Sequence, residues 1–138
     1  MKILGLDLGE RRVGVAVSDP GEIMAHPLAQ IQPQNRRDLV QKVARLVCEQ
    51  GAGRVVVGMP YLSDGTRGRQ ARRTEAVVEA LRASLPVPVA VWDERFSTEA
   101  ADEAMRQAGL GPKRRKERRD KVAAALILQA YLDAGAPL

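Results

Sequence analysis

The alternation of apolar and polar positions predicts strands in the first quarter of the chain. Apolar runs over 2–8 and 12–18 are joined by the short turn Gly9-Glu10-Arg11. Two strands joined so closely pair antiparallel. A weaker run over 28–32, bounded by two prolines, predicts a third strand. The three runs together predict an antiparallel meander.

Helices and strands alternate in the rest of the chain. Apolar positions at helical spacing predict four helices, over 35–50, 68–85, 97–109 and 120–134. Asn35 is the expected N-cap of the first helix, and Ser97 or Thr98 that of the third. The continuous apolar run over 54–60 predicts a strand that is covered on both faces, and 87–94 is predicted to be the next strand. The predicted fold class is α/β: a five-stranded mixed sheet, three antiparallel meander strands and then two parallel strands, flanked by helices on both faces.

Composition narrows the class of protein. The 138 residues suit one domain over 1–138, and the 45% apolar share is enough for a core. A single cysteine excludes an internal disulfide and a cysteine-based zinc site. No apolar run reaches the roughly 18 residues that a membrane span needs, and the start of the chain does not resemble a signal peptide. We therefore expect a cytoplasmic protein with no membrane partner.

Positive charge is concentrated in two segments, 67–73 and 113–121. The net charge is +5, and residues 113–121 alone hold seven lysines and arginines. Basic residues without interleaved aromatics suit contact with a phosphate backbone, although a solvated charged loop is the alternative. The nucleic-acid-binding candidates are Arg67, Arg69, Arg72, Lys113, Arg114, Arg115, Lys116, Arg118 and Arg119.

Carboxylates lie at positions where apolar residues are expected. Asp7 interrupts the first strand, and Asp93 and Glu94 end the fifth. Asp120 extends the apolar face that Ala124, Ile127 and Tyr131 form in the last helix. Each has a structural alternative: a turn cap for Asp7, a solvated strand end for Asp93 and Glu94, and helix-dipole stabilisation for Asp120.

Clustered carboxylates would need a cation. If the last helix packs near the ends of strands one and five, Asp7, Glu94 and Asp120 can converge. Their mutual repulsion favours a hard cation, and Mg²⁺ and Mn²⁺ prefer oxygen ligands. Two such ions can assist phosphoryl displacement, and the basic segments could hold a polyanion. This combination is typical of nucleases.

Four blocks of sequence stand out in order: "LGLDLGERRVGVAVSD", "VVVGMPYLSDGTRGRQA", "VWDERFSTEAA" and "DKVAAALILQAYL". Together they resemble the YqgF family, also called RuvX, of RuvC-like proteins with an RNase H-like fold. The resemblance covers essentially the whole chain. It implies a metal-dependent nuclease linked to maturation of the small-subunit ribosomal RNA precursor and, by fold, to Holliday-junction resolution.

The resemblance also implies a set of site residues. Asp7, Glu94 and Asp120 match the family's catalytic acids, and Asp93 lies beside them as a further candidate ligand. Two Mg²⁺ or Mn²⁺ ions are the implied cofactors, and an rRNA precursor or branched DNA is the implied partner. A homodimer is left open. The segment "YLS" (61–63) departs from the usual pattern, which leaves the role of its loop open.

Two other functions compete with a nuclease. "GLDLG" also begins the first phosphate loop of the actin, Hsp70 and sugar-kinase group, but those proteins close two domains over ATP. A non-catalytic RNA-binding factor in ribosome assembly would use the same basic segments. Metal-dependent cleavage that Asp7→Asn abolishes would separate these functions.

Overall fold

The strands form one mixed sheet. They are β1 (Lys2–Leu8), β2 (Val13–Ser18), β3 (Ala25–Ile31), β4 (Ala52–Met59) and β5 (Val89–Asp93), in the order β3-β2-β1-β4-β5. The computed structural model describes residues 1–62 and 64–138, apart from the side chains of 96–102 and 116–121. Strand β1 is central, antiparallel to β2 and parallel to β4. The predicted meander and the two parallel strands are confirmed.

Four helices complete the fold: α1 (Arg36–Gln50), α2 (Arg69–Ser84), α3 (Glu94–Gln107) and α4 (Pro112–Asp133). Asn35 caps α1 as predicted, since its side chain accepts a hydrogen bond of 2.8 Å from the backbone N–H of Asp38. Across the described residues, no helix combines the length and apolar character that a bilayer crossing requires.

Helix α3 begins earlier than predicted. Its N-cap is Asp93, whose carboxylate accepts a 3.0 Å hydrogen bond from the backbone N–H of Arg95. The predicted caps, Ser97 and Thr98, are wrong because the last residue of β5 already serves as the cap. The helix therefore follows the strand with no intervening loop, and Glu94 is its first residue.

Helix α4 also begins earlier than predicted. The helix expected from residue 120 corresponds to the second part of α4, and a first part, which starts at Pro112 and includes the basic segment, was not predicted. Proline suits the first turn of a helix, where its missing N–H leaves no bond unmade. Non-helical dihedral angles at Val122 (φ −123°, ψ 16°) introduce a kink. Helical spacing from Ala124 therefore does not extend unbroken to position 120.

The two faces of the sheet bury separate apolar layers. Helices α1 and α2 cover the face of Leu4, Leu6 and Leu8. Helix α4 covers the other face, where Ile3 packs in one cluster with Leu128. Since side chains alternate along a strand, the odd-numbered residues of β1 point toward α4. Asp7 is therefore on the α4 face.

Glycines let α4 approach the sheet closely. A Cβ added to Gly5 in β1 would lie 2.8 Å from Cβ of Leu128. A Cβ added to Gly58 in β4 would lie 2.6 Å from Cδ1 of Ile127. Both distances are too short for a real Cβ without movement. The absence of a side chain at Gly5 and at Gly58 thus sets the distance between α4 and the sheet.

Candidate active site

Asp7 lies near the carboxyl end of β1, half-buried under α4. It pairs across the strands with Gly14 in β2. The site that a Cβ on Gly14 would occupy is 3.8 Å from Cβ of Asp7 and 3.4 Å from Cβ of Ala124. Asp7 is therefore next to the part of α4 that packs on the sheet.

Glu94 is brought to the same face by the immediate passage from β5 into α3. Its Oε2 lies 3.2 Å from the position that a Cβ on Gly58 would occupy, and Ile127 borders the same position. The carboxylate therefore reaches over β4 toward α4 and is half-buried there. A side chain at position 58 would compete with it for space.

The pKa of Glu94 indicates that these carboxylates share one site. Burial and, to a smaller extent, the negative charges of Asp7 and then Asp93 together raise the pKa of Glu94 to about 7. Desolvation disfavours the charged form, and nearby like charges act in the same direction. The structure thus brings together two of the three predicted catalytic acids, Asp7 and Glu94.

Asp93 has a different environment from its neighbour. Both of its carboxylate oxygens accept hydrogen bonds from Arg95, the shortest being 2.6 Å from Nη2. These bonds hold the pKa of Asp93 below its usual value. Arg95 also lies over the ring of Tyr61, 5.8 Å from its centroid, and donates to the carbonyl of Leu62 at 3.4 Å. Arg95 thus ties the loop after β4 to the end of β5.

A cleft of about 680 Å³ opens beside Asp7. Arg12, Gln30 and residues 122–125 of α4 are among the residues that line it. The sequence reasoning missed Arg12, although the short turn between the first two strands brings the chain back beside Asp7 and so provides a signal. The cleft gives a substrate access to Asp7 and places an exposed guanidinium next to it.

The predicted basic residues are only partly described. Arg67 forms an ion pair of 2.8 Å with Glu75, whereas Arg69 and Arg72 are exposed at the start of α2. Arg115 donates to the carbonyl of Leu110 at 2.8 Å. Lys113 and Arg114 are exposed in the first turn of α4. The side chains of Lys116, Arg118 and Arg119 lie outside the described residues.

The third predicted catalytic acid also lies outside the described side chains. Asp120 falls within the range of α4, but its carboxylate is not among the groups that the structure describes. Among the described side chains, no group of three Asp, Glu, His or Cys residues could hold a metal ion. The described part of the site is therefore the pair Asp7 and Glu94.

Comparison with known sequences identifies relatives over nearly the whole chain. The profile of the RuvX family, described as Holliday junction resolvase, matches residues 1–134. A protein of Chloroflexus aggregans named "Putative pre-16S rRNA nuclease" is 47% identical over 132 residues, covering 96% of this chain and 93% of the relative. A protein of the same name from Desulforamulus reducens is 41% identical and covers 99% of both chains.

Solved structures share the fold at much lower identity. RuvC of Thermus thermophilus in complex with a Holliday junction substrate matches with a TM-score of 0.59 and 18% identity, over 98% of this chain and 96% of that one. The fowlpox virus Holliday junction resolvase matches with a TM-score of 0.55 and 13% identity, over 97% and 99%. These likenesses confirm the RuvC-like, RNase H-like fold class.

Proposed function

This chain belongs to the RuvX family, and on that premise we propose that it is a divalent-metal-dependent nuclease that hydrolyses phosphodiester bonds of structured nucleic acid. The observation that supports this most directly is the pairing of Asp7 and Glu94. Two half-buried carboxylates from distant parts of the chain share one face of the sheet, beside a cleft. Such a pair opposes folding at neutral pH, which favours a functional role.

The donor groups fit Mg²⁺ or Mn²⁺. Carboxylate oxygens are the ligands that these hard cations prefer, and a cation would relieve the repulsion that raises the pKa of Glu94. Asp7 and Glu94 would hold two ions together with Asp120. When bound, the ions would supply stabilisation of the charge that develops on the phosphate oxygens and activation of the attacking water.

Asp93 would have a different role from Asp7 and Glu94. Its role as a metal ligand stays a prediction. Its hydrogen bonds with Arg95 favour a role in positioning Glu94. By capping α3, Asp93 fixes the first turn of the helix that begins with Glu94. The two adjacent carboxylates then differ in protonation: Asp93 is held ionised, and Glu94 accepts a proton near neutral pH in the metal-free site.

Positive side chains would hold the substrate. Arg12 lines the cleft beside Asp7 and can contact a phosphate there. Arg69, Arg72 and the segment 113–119 would bind the backbone further along, without reading bases. The family relatives at 41–47% identity favour an rRNA precursor as the natural substrate. Branched DNA is the alternative, supported by the fold of the junction resolvases.

A cleavage assay tests the proposal. The purified protein, with Mn²⁺ and separately with chelator, is given an rRNA precursor spanning the 16S 5′ end, a four-way DNA junction and single strands of each. We expect metal-dependent cleavage that Asp7→Asn abolishes while binding persists. Glu79→Gln, which removes an exposed acid on α2, is the matched control and should cut normally.

Two outcomes would contradict the proposed nuclease mechanism. Cleavage that survives the chelator, or an Asp7→Asn protein that cuts at the wild-type rate, would exclude the proposed site. Metal-independent binding of the precursor with no cleavage under any condition would instead favour a non-catalytic RNA-binding factor in ribosome assembly.

A further inference from the structure

A second pocket, of about 280 Å³, lies across β1 from Asp7. Leu8 and Gly9, which directly follow Asp7 in the chain, are among the residues that line it. Leu8 points to the α1 and α2 face, whereas Asp7 points to the α4 face. The pocket is therefore at the same end of the sheet as the candidate active site, on the opposite face.

Three arginines from three separate elements line this pocket. Arg11 comes from the β1–β2 turn, Arg36 from the start of α1 and Arg73 from α2. Glu10 is the carboxylate in the lining, so the lining has a net positive charge. All three arginines are exposed, and within the described part of the chain none of them forms an ion pair.

The pocket is fixed by the fold. The amide of Gln70 donates to the carbonyl of Leu8 at 3.2 Å, which ties α2 to the end of β1 one helical turn before Arg73. Asn35 caps α1 and so fixes the first turn that contains Arg36. Three like charges held around one concavity repel one another. An anion in the pocket would relieve that repulsion.

We propose that this pocket binds a backbone phosphate of the same nucleic-acid strand whose scissile phosphate lies at Asp7 and Glu94. Guanidinium groups match the geometry of phosphate oxygens. Arg12 lines the active-site cleft and Arg11 lines this pocket, so one turn presents adjacent arginines to both sites. A strand that leaves the cleft over this turn would pass from Arg12 to Arg11 and so toward the pocket. The inference rests on the proposed nuclease function.

Binding measurements on matched double variants test the subsite. Arg36→Gln with Arg73→Gln removes two charges from the pocket, and Arg37→Gln with Arg45→Gln removes two exposed charges from α1 outside it. Anisotropy of a labelled single-stranded oligonucleotide, with chelator present, measures affinity without cleavage. We expect the pocket variant to bind about tenfold more weakly near 0.1 M salt. The slope of log affinity against log salt should fall by about 0.7 for one lost phosphate contact. The control should keep the wild-type affinity within about twofold and keep its slope.

The outcomes separate the subsite from a general charge effect. Equal weakening by both variants, or no weakening by the pocket variant, would overturn the proposal. If the pocket variant melts at a lower temperature, Arg11→Gln in the exposed turn replaces it, with the same direction expected. Because no cleavage is measured, a failure of the nuclease assay and a failure of this subsite are distinguishable.

A second arm tests the source of the phosphate. Calorimetry with inorganic phosphate and with ATP, on the wild-type protein and the pocket variant, asks whether the pocket serves a free ligand. We expect weak binding of both and strong binding of the oligonucleotide. Tight ATP binding that the pocket variant loses, with unchanged oligonucleotide affinity, would make the pocket a nucleotide site and overturn the proposal.

Discussion

Replacing Glu94 by Gln is expected to stabilise the metal-free protein at alkaline pH and to leave its stability nearly unchanged near pH 4.5. Folding raises the pKa of Glu94 from its ordinary value of 4.5 to about 7. Between these values the native state retains a proton that the unfolded chain has released, so stability falls as the pH rises. Gln has no charge to desolvate and avoids this loss.

The expected size follows from the same pKa. At about 1.36 kcal/mol per pH unit, the interval between 4.5 and about 7 corresponds to at most about 3.4 kcal/mol. Glu94 is only half-buried, and screening by solvent reduces this to roughly 1–2 kcal/mol above pH 8. For a chain of 138 residues, the midpoint of thermal unfolding should rise by roughly 3–7 °C.

Urea unfolding followed by circular dichroism, with chelator at pH 4.5 and 8.5, measures the effect. Glu79→Gln is the control, because it removes an exposed carboxylate of α2 that lies outside the candidate site. Saturating Mn²⁺ should reverse the order, since a ligand that binds the native state stabilises the protein that binds it better. A gain for Glu94→Gln that is equal at both pH values would refute the reasoning, since the change would then not come from ionisation.

Two further perturbations test the described geometry. Asp7→Asn removes the neighbouring charge that raises the pKa of Glu94 more than Asp93 does. Carbon-detected NMR of the metal-free protein should therefore show the pKa of Glu94 moving down from about 7 toward 4.5. An unchanged pKa of Glu94 would mean that the two carboxylates do not interact. Gly5→Ala should destabilise the protein by about 1–3 kcal/mol, because the new Cβ would lie 2.8 Å from Cβ of Leu128 in α4. Gly14→Ala should be better tolerated in the same denaturant titration, because its Cβ would lie 3.4 Å from Cβ of Ala124. Equal losses of stability would contradict the close contact at Gly5.

Local signals in the sequence were sufficient for most of the sheet. The short turn after Leu8 forces β1 and β2 to pair, and the bounds of β1 were predicted to the residue. Asn35 was recognisable as a cap because its side chain needs only a neighbouring N–H. These features depend on residues within a few positions of one another, which a sequence pattern can show.

Some features could not be predicted from local sequence patterns, because they depend on which of several possible residues caps a helix or on packing between distant segments. Asp93, and not Ser97 or Thr98, caps α3, and the ion pair of Asp93 with Arg95 holds its carboxylate in place. The basic segment was placed before the last helix because no apolar positions mark a buried face in it, yet Pro112 was an available signal for a helix start.

The candidate site shows the same division between local and long-range signals. The acids at the strand ends were visible as polar breaks in apolar runs. By contrast, the pocket of Arg11, Arg36 and Arg73 depends on how α1 and α2 pack at the end of β1, and no single motif contains these three arginines.

The central place of β1 has a consequence for the order of events during synthesis. The ribosome makes Asp7 before β2 and β3, and these two strands can pair in turn as they emerge. Glu94 is made roughly 4–17 s later at about 5–20 residues per second. Helix α4, which covers the same face, follows last. A nascent chain therefore exposes its first acid long before the second arrives, and the proposed site does not exist until α4 has been made.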